Sequence, residues 1–385
     1  MDKAKARALL SLPTMRIALD SGLLLSNRMD DSHSFIAEIV RHLTNTFPEH
    51  QFILIGPNRH WGNLTSHSNV TYATLIATHS PLWKLSYKIK LAWLLTKYKA
   101  DVIVSIGFYS PVVAKPQCIL LPDLRFLDTR TKVKRPFLRF YKKHLPRFLE
   151  KANAIAVISH LLKHELINDY RIEQEKIAVI HTAGRDIFQP LAGEVTQAIK
   201  KKYTHDTEFF LCAGSIHRSE TIINMLKGFS VFKKRQQSNL KLVFTDQNIM
   251  AQNALIDDLK NYKYRDDVII LESLTDDEFA KIFASAYALV YPSVSAGFHM
   301  RVLEAIKCNV PVLTSLNLSV RELINDAALY FDPDNYDDIG EKMMRIYKDE
   351  NLRAQLIKKS SIIASQYSWK QTAELLWQSI LKAVN

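Results

Sequence analysis

Glycine is scarce in this sequence. Ten of its 385 residues are glycine, whereas an average usage of about 7% predicts about 27. The sequence contains no G-x-x-x-x-G-K-[ST] loop and no nucleophile elbow, which excludes a P-loop nucleotide site and the active site of an α/β-hydrolase. Its 13 histidines form no H-E-x-x-H motif, so the zinc site of that motif is excluded as well.

Long hydrophobic runs are absent and cysteine is rare. No stretch holds the roughly 18 consecutive apolar residues of a membrane span. The opening "MDKAKARALLSLPT" has an apolar patch of about five residues, too short for a signal-peptide core, so we expect a cytoplasmic protein. The three cysteines, Cys118, Cys212 and Cys308, lie far apart in apolar stretches without metal-ligand spacing. We interpret them as core thiols.

The composition is that of a globular chain with a strong positive charge. With 47% hydrophobic and 23% charged residues, a chain of 385 residues is long enough for two domains with separate cores. The formal net charge of +12 indicates an anionic partner. Charge alone leaves nucleic acid, a phosphorylated substrate and a membrane surface open.

Two segments interleave cations with aromatic residues. Residues 83–99 combine Lys84, Lys88, Lys90, Lys97 and Lys99 with Trp83 and Trp93. Residues 126–147 combine Arg130, Lys132, Lys134, Arg135, Arg139, Lys142, Lys143 and Arg147 with Phe137, Phe140 and Tyr141, and Phe148 follows them directly. The pattern is typical of a helix at a membrane interface, where each cation near anionic lipid adds about 1 kcal/mol. The alternative is that the aromatic residues face a core and the cations form a solvated face.

Short β-branched runs alternate with helical patterns along the chain. The predicted strands are 16–20, 51–55, 102–106, 118–121, 155–158 and 177–180, then 209–213, 240–244, 268–271, 288–291, 310–314 and 328–331. Strands that alternate with helices predict parallel sheets covered on both faces. Because the polar stretch 189–207 separates the two series, the sequence predicts two doubly wound α/β domains, in which ligands bind at the carboxyl ends of strands.

The stretch "YPSVSAGFHMRVLEA", which runs from Tyr291 to Ala305, combines a strand end, a loop of small residues and an amphipathic helix that should begin near Phe298. The free N–H groups and the positive dipole end of such a helix suit an anion. The sequence therefore predicts a phosphate-binding site after the predicted strand 288–291.

The longer segment "YPSVSAGFHMRVLEAIKCNVPVLTSLNLSVRELINDAALYFDPDN" resembles the nucleotide-sugar half of the family 4 glycosyltransferases. The family pattern there is roughly PS-x-x-E-G-F-G-x-x-x-L-E-A, followed by P-V and T-S. The segments "LTDDEFAKIFASAYALVYPS", "YSWKQTAELL", "AVISHLLKHEL" and "MRIALD" fit the same template. The resemblance starts at Met15 and is strongest over residues 209–334, which leaves Met1 and Met15 both open as the first residue.

This resemblance implies the GT-B fold, in which two Rossmann-like domains face each other across a cleft, and a retaining glycosyltransferase. The implied parts are an acceptor-side domain over 1–188, a nucleotide-sugar-binding domain over 189–365 and a terminal helix over 366–385 that packs back toward the first domain. The implied partners are a nucleotide sugar and a glycan or lipid-linked acceptor, with no nucleic acid. No cofactor or metal is expected, because the "DPD" at 332–334 lies in a stretch that is simply acidic in this family.

The resemblance also implies which residues bind the donor. Gly297 would let the backbone approach a ligand closely, the N–H groups after it would receive the β-phosphate, and Glu304 would accept hydrogen bonds from both ribose hydroxyls. The alternative for Glu304 is a helix-surface glutamate stabilised by the helix dipole. His217, Arg218 and Arg301 are candidates to face the diphosphate, with ordinary surface arginines as the alternative for the last two. The full predicted set is Gly214, Ser215, His217, Arg218, Gly297, Phe298, His299, Arg301 and Glu304.

Four regions depart from the family pattern. Counting back from Glu304 by the family's E-x7-E spacing reaches Ala296, which cannot hydrogen-bond the transferred sugar. The loop "GSIHRSET" places Ser219 and Glu220 where the family commonly has Arg and Lys. The family's His-Asp pair reads Pro122 and Asp123, which leaves Asp123 as a weak catalytic candidate. The glycine-rich first loop reads "RMDDSHS".

Two functions therefore stay open. The first is a working transferase that moves a hexose from a nucleotide-diphosphate sugar to a saccharide, either free or lipid-linked at a membrane surface. The second is a non-catalytic GT-B relative that binds or scaffolds within a glycan-assembly complex. The changes at Ala296, Ser219 and Glu220 favour the second function, whereas Glu304 and the anion-binding loop favour the first. We expect the first function, a working transferase.

Overall fold

A computed structural model of the chain describes residues 13–21, 31–56, 68–75, 83–107, 109–124, 135–213, 219–245, 259–292 and 299–385. The chain divides into two compact units. Unit 1 consists of Met1–His181 together with Trp369–Asn385, and unit 2 is Thr182–Ser368.

Each unit is built on one parallel sheet. Among the described residues, the sheet of unit 1 has seven strands in the order β3-β2-β1-β4-β5-β6-β7, and that of unit 2 has six in the order β10-β9-β8-β11-β12-β13. The strands of unit 1 are β1 (Arg16–Asp20), β2 (Gln51–Gly56), β3 (Val70–Thr74), β4 (Val102–Ile106), β5 (Gln117–Leu121), β6 (Ala154–Val157) and β7 (Ile177–Val179). Those of unit 2 are β8 (Phe209–Ala213), β9 (Lys241–Thr245), β10 (Val268–Ile270), β11 (Ala288–Tyr291), β12 (Val312–Ser315) and β13 (Ala328–Phe331). The prediction of two doubly wound α/β domains is confirmed.

Helices connect the strands. They are α1 (Asp31–Thr46), α2 (Trp83–Lys97), α3 (Arg135–Lys151), α4 (His160–Asn168), α5 (Gly193–Thr204), α6 (Ser219–Gln236), α7 (Asp276–Ala284), α8 (Met300–Lys307), α9 (Leu318–Ile324), α10 (Tyr336–Lys348), α11 (Glu350–Ala364) and α12 (Trp369–Val384). Local capping starts several of them: Ser159 Oγ accepts from Leu162 N–H at α4, and Thr275 forms a capping box with Glu278 at α7. Within the described ranges, no helix combines the length and the apolar character that crossing a bilayer requires.

Strand β3 was not predicted from the sequence. It pairs with β2 at the edge of the first sheet, and Ala73 is its one buried residue. The central strands β4 and β5 are buried along their whole length. Because an edge strand faces solvent, it lacks the continuous apolar run by which buried parallel strands are recognised.

The division between the units falls after His181, whereas the sequence placed it after residue 188. Residues 182–188 pack within unit 2, because Phe188 is fully buried in its core and Arg185 bonds to Glu304. The polar stretch 189–207, which the sequence analysis took as the separator, contains helix α5 inside unit 2.

The final helix belongs to unit 1. Trp369 and Trp377 of α12 are fully buried there. The Trp377 ring stacks on Phe47, with centroids 4.5 Å apart, and the Trp369 ring lies 5.7 Å from Phe35. Large aromatic groups such as these bury much apolar area, so α12 completes the core beside α1.

Two of the scarce glycines lie where α6 and α10 cross in unit 2. A Cβ atom on Gly228 would lie 2.7 Å from Ile339 Cγ2, and one on Gly340 would lie 2.7 Å from the Gly228 carbonyl oxygen. Both distances are too short for any side chain, so these positions allow the helix backbones to touch. The three cysteines are buried, as predicted, and burial raises the pKa of the Cys118 thiol to about 12.

Candidate functional site

The predicted donor site lies at the carboxyl end of β11, a central strand of the second sheet. Helix α8 follows and begins at Met300, after His299. Its predicted start near Phe298, the ligand Gly297 and the altered position Ala296 lie outside the described residues. The same holds for the predicted ligands Gly214, Ser215, His217 and Arg218. The site is therefore described through His299, Arg301 and Glu304.

His299 precedes helix α8 in the left-handed region of the backbone, with φ 48° and ψ 24°. The family pattern has glycine here, and a left-handed conformation at another residue costs about 1–3 kcal/mol. The ring is buried, and its Nε2 lies 2.7 Å from Ser319 Oγ. Because Ser319 Oγ in turn donates to Asn317 Oδ1 at 2.8 Å, Nε2 is the donor in the first bond. This chain of bonds ties the start of α8 to the start of α9.

Glu304 is completely buried, with none of its surface exposed. Its Oε1 accepts from Arg185 Nε at 2.6 Å, and its Oε2 accepts from Arg301 Nη1 at 2.7 Å. Each oxygen of the carboxylate therefore accepts a hydrogen bond from a different guanidinium group. The alternative of a helix-surface glutamate is wrong, because burial of an ionised carboxylate requires partners of this kind.

Aromatic rings support the two arginines. The Arg185 guanidinium lies 4.8 Å from the Phe188 ring centroid and the Arg301 guanidinium 4.8 Å from that of Phe279. Phe188 and Phe279 meet edge to face at 5.9 Å. Stacking on aromatic faces stabilises arginine where water is excluded. Because the side chain of Arg301 is 12% exposed, the alternative of an ordinary surface arginine is wrong for this residue.

The segment that carries Arg185 makes several contacts with α7 and α8. Arg185 Nη1 also donates to Asp276 Oδ1 at 3.0 Å, in the first turn of α7. Lys307 Nζ donates to the carbonyl oxygens of Gly184 and Arg185 and bonds to Asp186 Oδ1 at 2.7 Å. A Cβ atom on Gly184 would lie 3.0 Å from the Leu303 carbonyl oxygen, so the backbone passes close to α8. The sequence analysis missed Arg185, because it precedes Glu304 by 119 positions and no spacing rule connects them.

This cluster determines what Glu304 can do. The two guanidinium groups are matched by two carboxylates, those of Glu304 and Asp276, so the positive potential at the start of α8 comes from the helix dipole. In the conformation described, a ribose hydroxyl has no access to the buried carboxylate. A ribose contact by Glu304 would therefore require the side chains that cover the carboxylate to move.

Unit 1 carries a second group of polar residues at the carboxyl ends of its strands. Asp123 is half-buried just after β5. Asp20 ends β1, and its Oδ1 accepts from the buried Tyr87 hydroxyl at 2.6 Å. Burial and the neighbouring Asp20 raise the pKa of Tyr87 well above its usual value, and the same causes raise that of Tyr109 to about 12. The sequence analysis missed Asp20, because an acidic residue after a strand carries no motif of its own.

The remaining positions singled out from the sequence have local roles or side chains that are not described. Ser219 and Glu220 lie in the first turn of α6, and their side chains are outside the described part. In the "DPD" segment, Asp332 Oδ1 accepts from the Asp334 N–H at 3.0 Å, and Asp338 Oδ2 accepts from the Asp332 N–H at 2.8 Å. These bonds form the turn before α10.

Comparison with known proteins identifies both halves of the chain. Residues 33–183 match the family model described as Glycosyltransferase Family 4, and residues 195–361 match the model described as Glycosyl transferases group 1. The chain is 22% identical over 289 residues to O-antigen chain mannosyltransferase B of Escherichia coli, which covers 75% of this chain and 76% of that protein. It is 24% identical over 242 residues to O-antigen chain mannosyltransferase RfbU of Salmonella typhimurium, covering 63% of this chain and 64% of that protein.

Solved structures agree on the fold. A glycosyltransferase from Rickettsia africae matches with a TM-score of 0.76 at 13% identity, covering 97% of this chain and 100% of that one. Anabaena Alr3699/HepE in complex with UDP and glucose matches with a TM-score of 0.72 at 14% identity, covering 95% and 99%. Two Rossmann-like parallel sheets with this topology define the GT-B class.

The two family models divide the chain much as the two units do. Together with the mannosyltransferase relatives, they show that the chain belongs to the glycosyltransferases of the family 4 type. The resemblance found from the motifs alone is confirmed.

Proposed function

We propose that this protein is a retaining glycosyltransferase that moves a hexose from a nucleotide-diphosphate sugar to a saccharide acceptor. The observation that carries this proposal is the position of α8. This helix begins after the carboxyl end of β11, inside the segment that matches the Glycosyl transferases group 1 model. Its residues Arg301 and Glu304 form the cluster with Arg185.

The proposed chemistry is mainly electrostatic. A departing nucleoside diphosphate develops negative charge, which a helix N-terminus and fixed cations stabilise. The backbone after Gly297 is proposed to receive the phosphate, with His217, Arg218 and Arg301 supplying positive charge. Glu304 remains the proposed ribose contact. Asp123 is the proposed catalytic candidate from unit 1.

The proposed reaction needs no metal ion. Glycosyltransferases of a different fold bind a metal ion through a D-x-D motif, but here the Asp332 carboxylate accepts a backbone hydrogen bond within its own turn. Cationic side chains would do the work of the metal by neutralising the diphosphate. Activity in the presence of excess EDTA is the expected result, and a loss that Mg²⁺ or Mn²⁺ restores would contradict it.

The relatives suggest the first substrates to test. Two of the relatives are named O-antigen chain mannosyltransferases, so we propose mannose as the hexose and a growing polysaccharide as the acceptor. We also propose that this acceptor is lipid-linked, which places the enzyme at a membrane surface. These names also favour an enzyme over a non-catalytic scaffold.

Calorimetry against UDP, GDP, UDP-glucose and GDP-mannose is the direct test. We expect at least one nucleotide to bind, followed by slow release of free sugar from the matching donor. Proton NMR of the released or transferred sugar should show the donor's anomeric configuration retained at first appearance. Binding without any hydrolysis or transfer would support the scaffold instead, and no binding across the panel would overturn the proposal.

A further inference from the structure

Helix α2 has two apolar faces. Tyr87, Leu91, Leu94 and Leu95 are buried in the core of unit 1. On the opposite side Leu85, Ile89 and Trp93 are 56%, 60% and 59% exposed. The core of unit 1 covers the first of these two faces, and the second is exposed.

The exposed residues form a continuous row, which we call the outer stripe: Leu85, Ile89 and Trp93. They follow each other at four-residue intervals, and such residues are neighbours on a helix surface. The cations Lys88, Lys90 and Lys97 are exposed around the stripe, and Lys97 Nζ lies 4.9 Å from the Trp93 ring centroid. The helix contains no acidic residue. The outer stripe is therefore apolar, and every charged residue that α2 places beside it is a lysine.

Helix α3 enlarges the cationic area. Lys84 Nζ of α2 lies 3.6 Å from the centroid of the Phe140 ring of α3, so the two helices adjoin. Arg139, Lys142, Lys143 and Arg147 are exposed on α3. Burial lowers the pKa of His144, and the charges of Lys143, Lys84 and Arg147 lower it further, as expected in a positive local field.

The aromatic residues of α3 do not join the stripe. Tyr141 and Phe148 are buried in the core of unit 1, and Phe140 packs against it. Trp83 also packs inward, with its ring 5.4 Å from Tyr109. The membrane interpretation is wrong for these aromatic residues, because they face the core. Residues 126–134 and the Phe137 side chain lie outside the described part.

We propose that the outer stripe docks on an anionic lipid bilayer, with Leu85, Ile89 and Trp93 in the interfacial layer and the lysines at the headgroups. This arrangement is that of an amphipathic helix lying in the membrane plane, with tryptophan at the apolar–polar boundary. The proposal extends the proposed function, because a lipid-linked acceptor is used at such a surface. A second copy of this chain fits less well, because a symmetric contact would set lysine borders against each other.

The first experiment is co-sedimentation of the full chain with vesicles of phosphatidylcholine, alone or with phosphatidylglycerol. We expect binding that rises with phosphatidylglycerol and falls as salt is added. The variant Leu85→Gln/Ile89→Gln/Trp93→Gln should bind at least about tenfold more weakly. The matched control, Ile187→Gln/Ile362→Gln, removes exposed apolar residues from unit 2 and should bind as the wild type does.

The second experiment separates charge from insertion. Lys88→Glu/Lys90→Glu should weaken vesicle binding about tenfold or more, because each cation near anionic lipid contributes to the binding free energy. The control Lys201→Glu/Lys234→Glu in unit 2 should change vesicle binding little. Tryptophan emission should shift to shorter wavelength on wild-type binding, and Trp93→Gln should lose that shift. Thermal unfolding of each variant checks that unit 1 is intact.

Three outcomes would overturn the proposal. They are equal binding of the outer-stripe variant and its control, indifference to phosphatidylglycerol, and a dimer in sedimentation analysis that the outer-stripe variant abolishes without vesicle binding by the wild type. Transfer to a water-soluble saccharide, measured in the same preparations, keeps the two proposals apart. If transfer persists while vesicle binding is absent, only the docking surface is refuted.

Discussion

Arg185 and Glu304 form an ion pair with 2.6 Å between Nε and Oε1, although 119 positions separate them. The carboxylate is fully buried, and its second oxygen holds Arg301. The residue that the family resemblance assigns to the ribose is thus already engaged by two cations. Arg185 joins the segment after His181 to helix α8, which makes the pair both a structural bond of unit 2 and part of the proposed donor site.

Removing Arg185 should destabilise unit 2 strongly. We expect Arg185→Ala to lower the free energy of unfolding by about 3–5 kcal/mol, because it leaves the buried Glu304 carboxylate with one of its two guanidinium partners. Urea unfolding followed by circular dichroism measures the change. Arg265→Ala is the control, since Arg265 is exposed and its distance to Asp266 is 3.8 Å; we expect less than about 1 kcal/mol there. Equal effects of the two changes would contradict the importance of the buried pair.

Nucleotide affinity should depend on Glu304. We expect Glu304→Gln to weaken binding of a nucleoside diphosphate by about 1.5–3 kcal/mol, the range for hydrogen bonds to a charged group. Calorimetry with the ordinary nucleotide and its 2′,3′-dideoxy analogue separates two causes. If the carboxylate contacts the ribose, wild type and variant should bind the analogue alike. If it acts by holding Arg301, the loss should persist with the analogue.

A variant that binds the ordinary nucleotide as tightly as the wild type would remove Glu304 from the site altogether. Unfolding midpoints of wild type and Glu304→Gln must be compared alongside, because the same residue holds two arginines.

The preference among nucleotide sugars should depend on the side chain at position 296. The family spacing places a carboxylate there, and Ala296 cannot hydrogen-bond a hexose. We expect Ala296→Glu to change the order of preference among nucleotide sugars while altering affinity for the bare nucleotide little, because the family's carboxylate at this position would contact only the sugar. Competition calorimetry with UDP-glucose and GDP-mannose measures both. An unchanged order of preference would show that this position does not face the sugar.

The contact between α6 and α10 should tolerate no added methyl group. We expect Gly340→Ala to destabilise unit 2 by about 1–3 kcal/mol, because its Cβ would lie 2.7 Å from the backbone oxygen of Gly228 and the helices would have to separate. Gly193→Ala is a matched control within a helix. A Cβ atom there meets nothing within 4 Å, so we expect no loss, or a gain of about 0.5–1 kcal/mol. Equal unfolding midpoints of the two variants would contradict the close crossing.

The strand and helix pattern was sufficient to predict most of the fold. Buried strands such as β4 and β5 are runs of residues that are apolar except for Ser105 and Gln117, and a parallel strand order requires helices between them. The edge strand β3 escaped detection because its exposed residues carry no such run. The cysteines were correctly assigned to the core: Cys118 and Cys212 lie in buried strands, and Cys308 lies at the end of α8.

The motif around residues 291–305 was enough to assign the family and to predict a donor site after β11. Sequence order could not show which charges would meet, because Arg185 and Glu304 come together only when the segment after His181 packs on α8. It also could not distinguish the two kinds of aromatic residue in the basic segments. Trp93 and Tyr141 have similar neighbours along the chain, but the direction that each helix presents to the core leaves Trp93 exposed and buries Tyr141. The sequence by itself thus determined the elements and the class of protein, whereas the packing of those elements decided which side chains pair, which are buried and which remain on the surface.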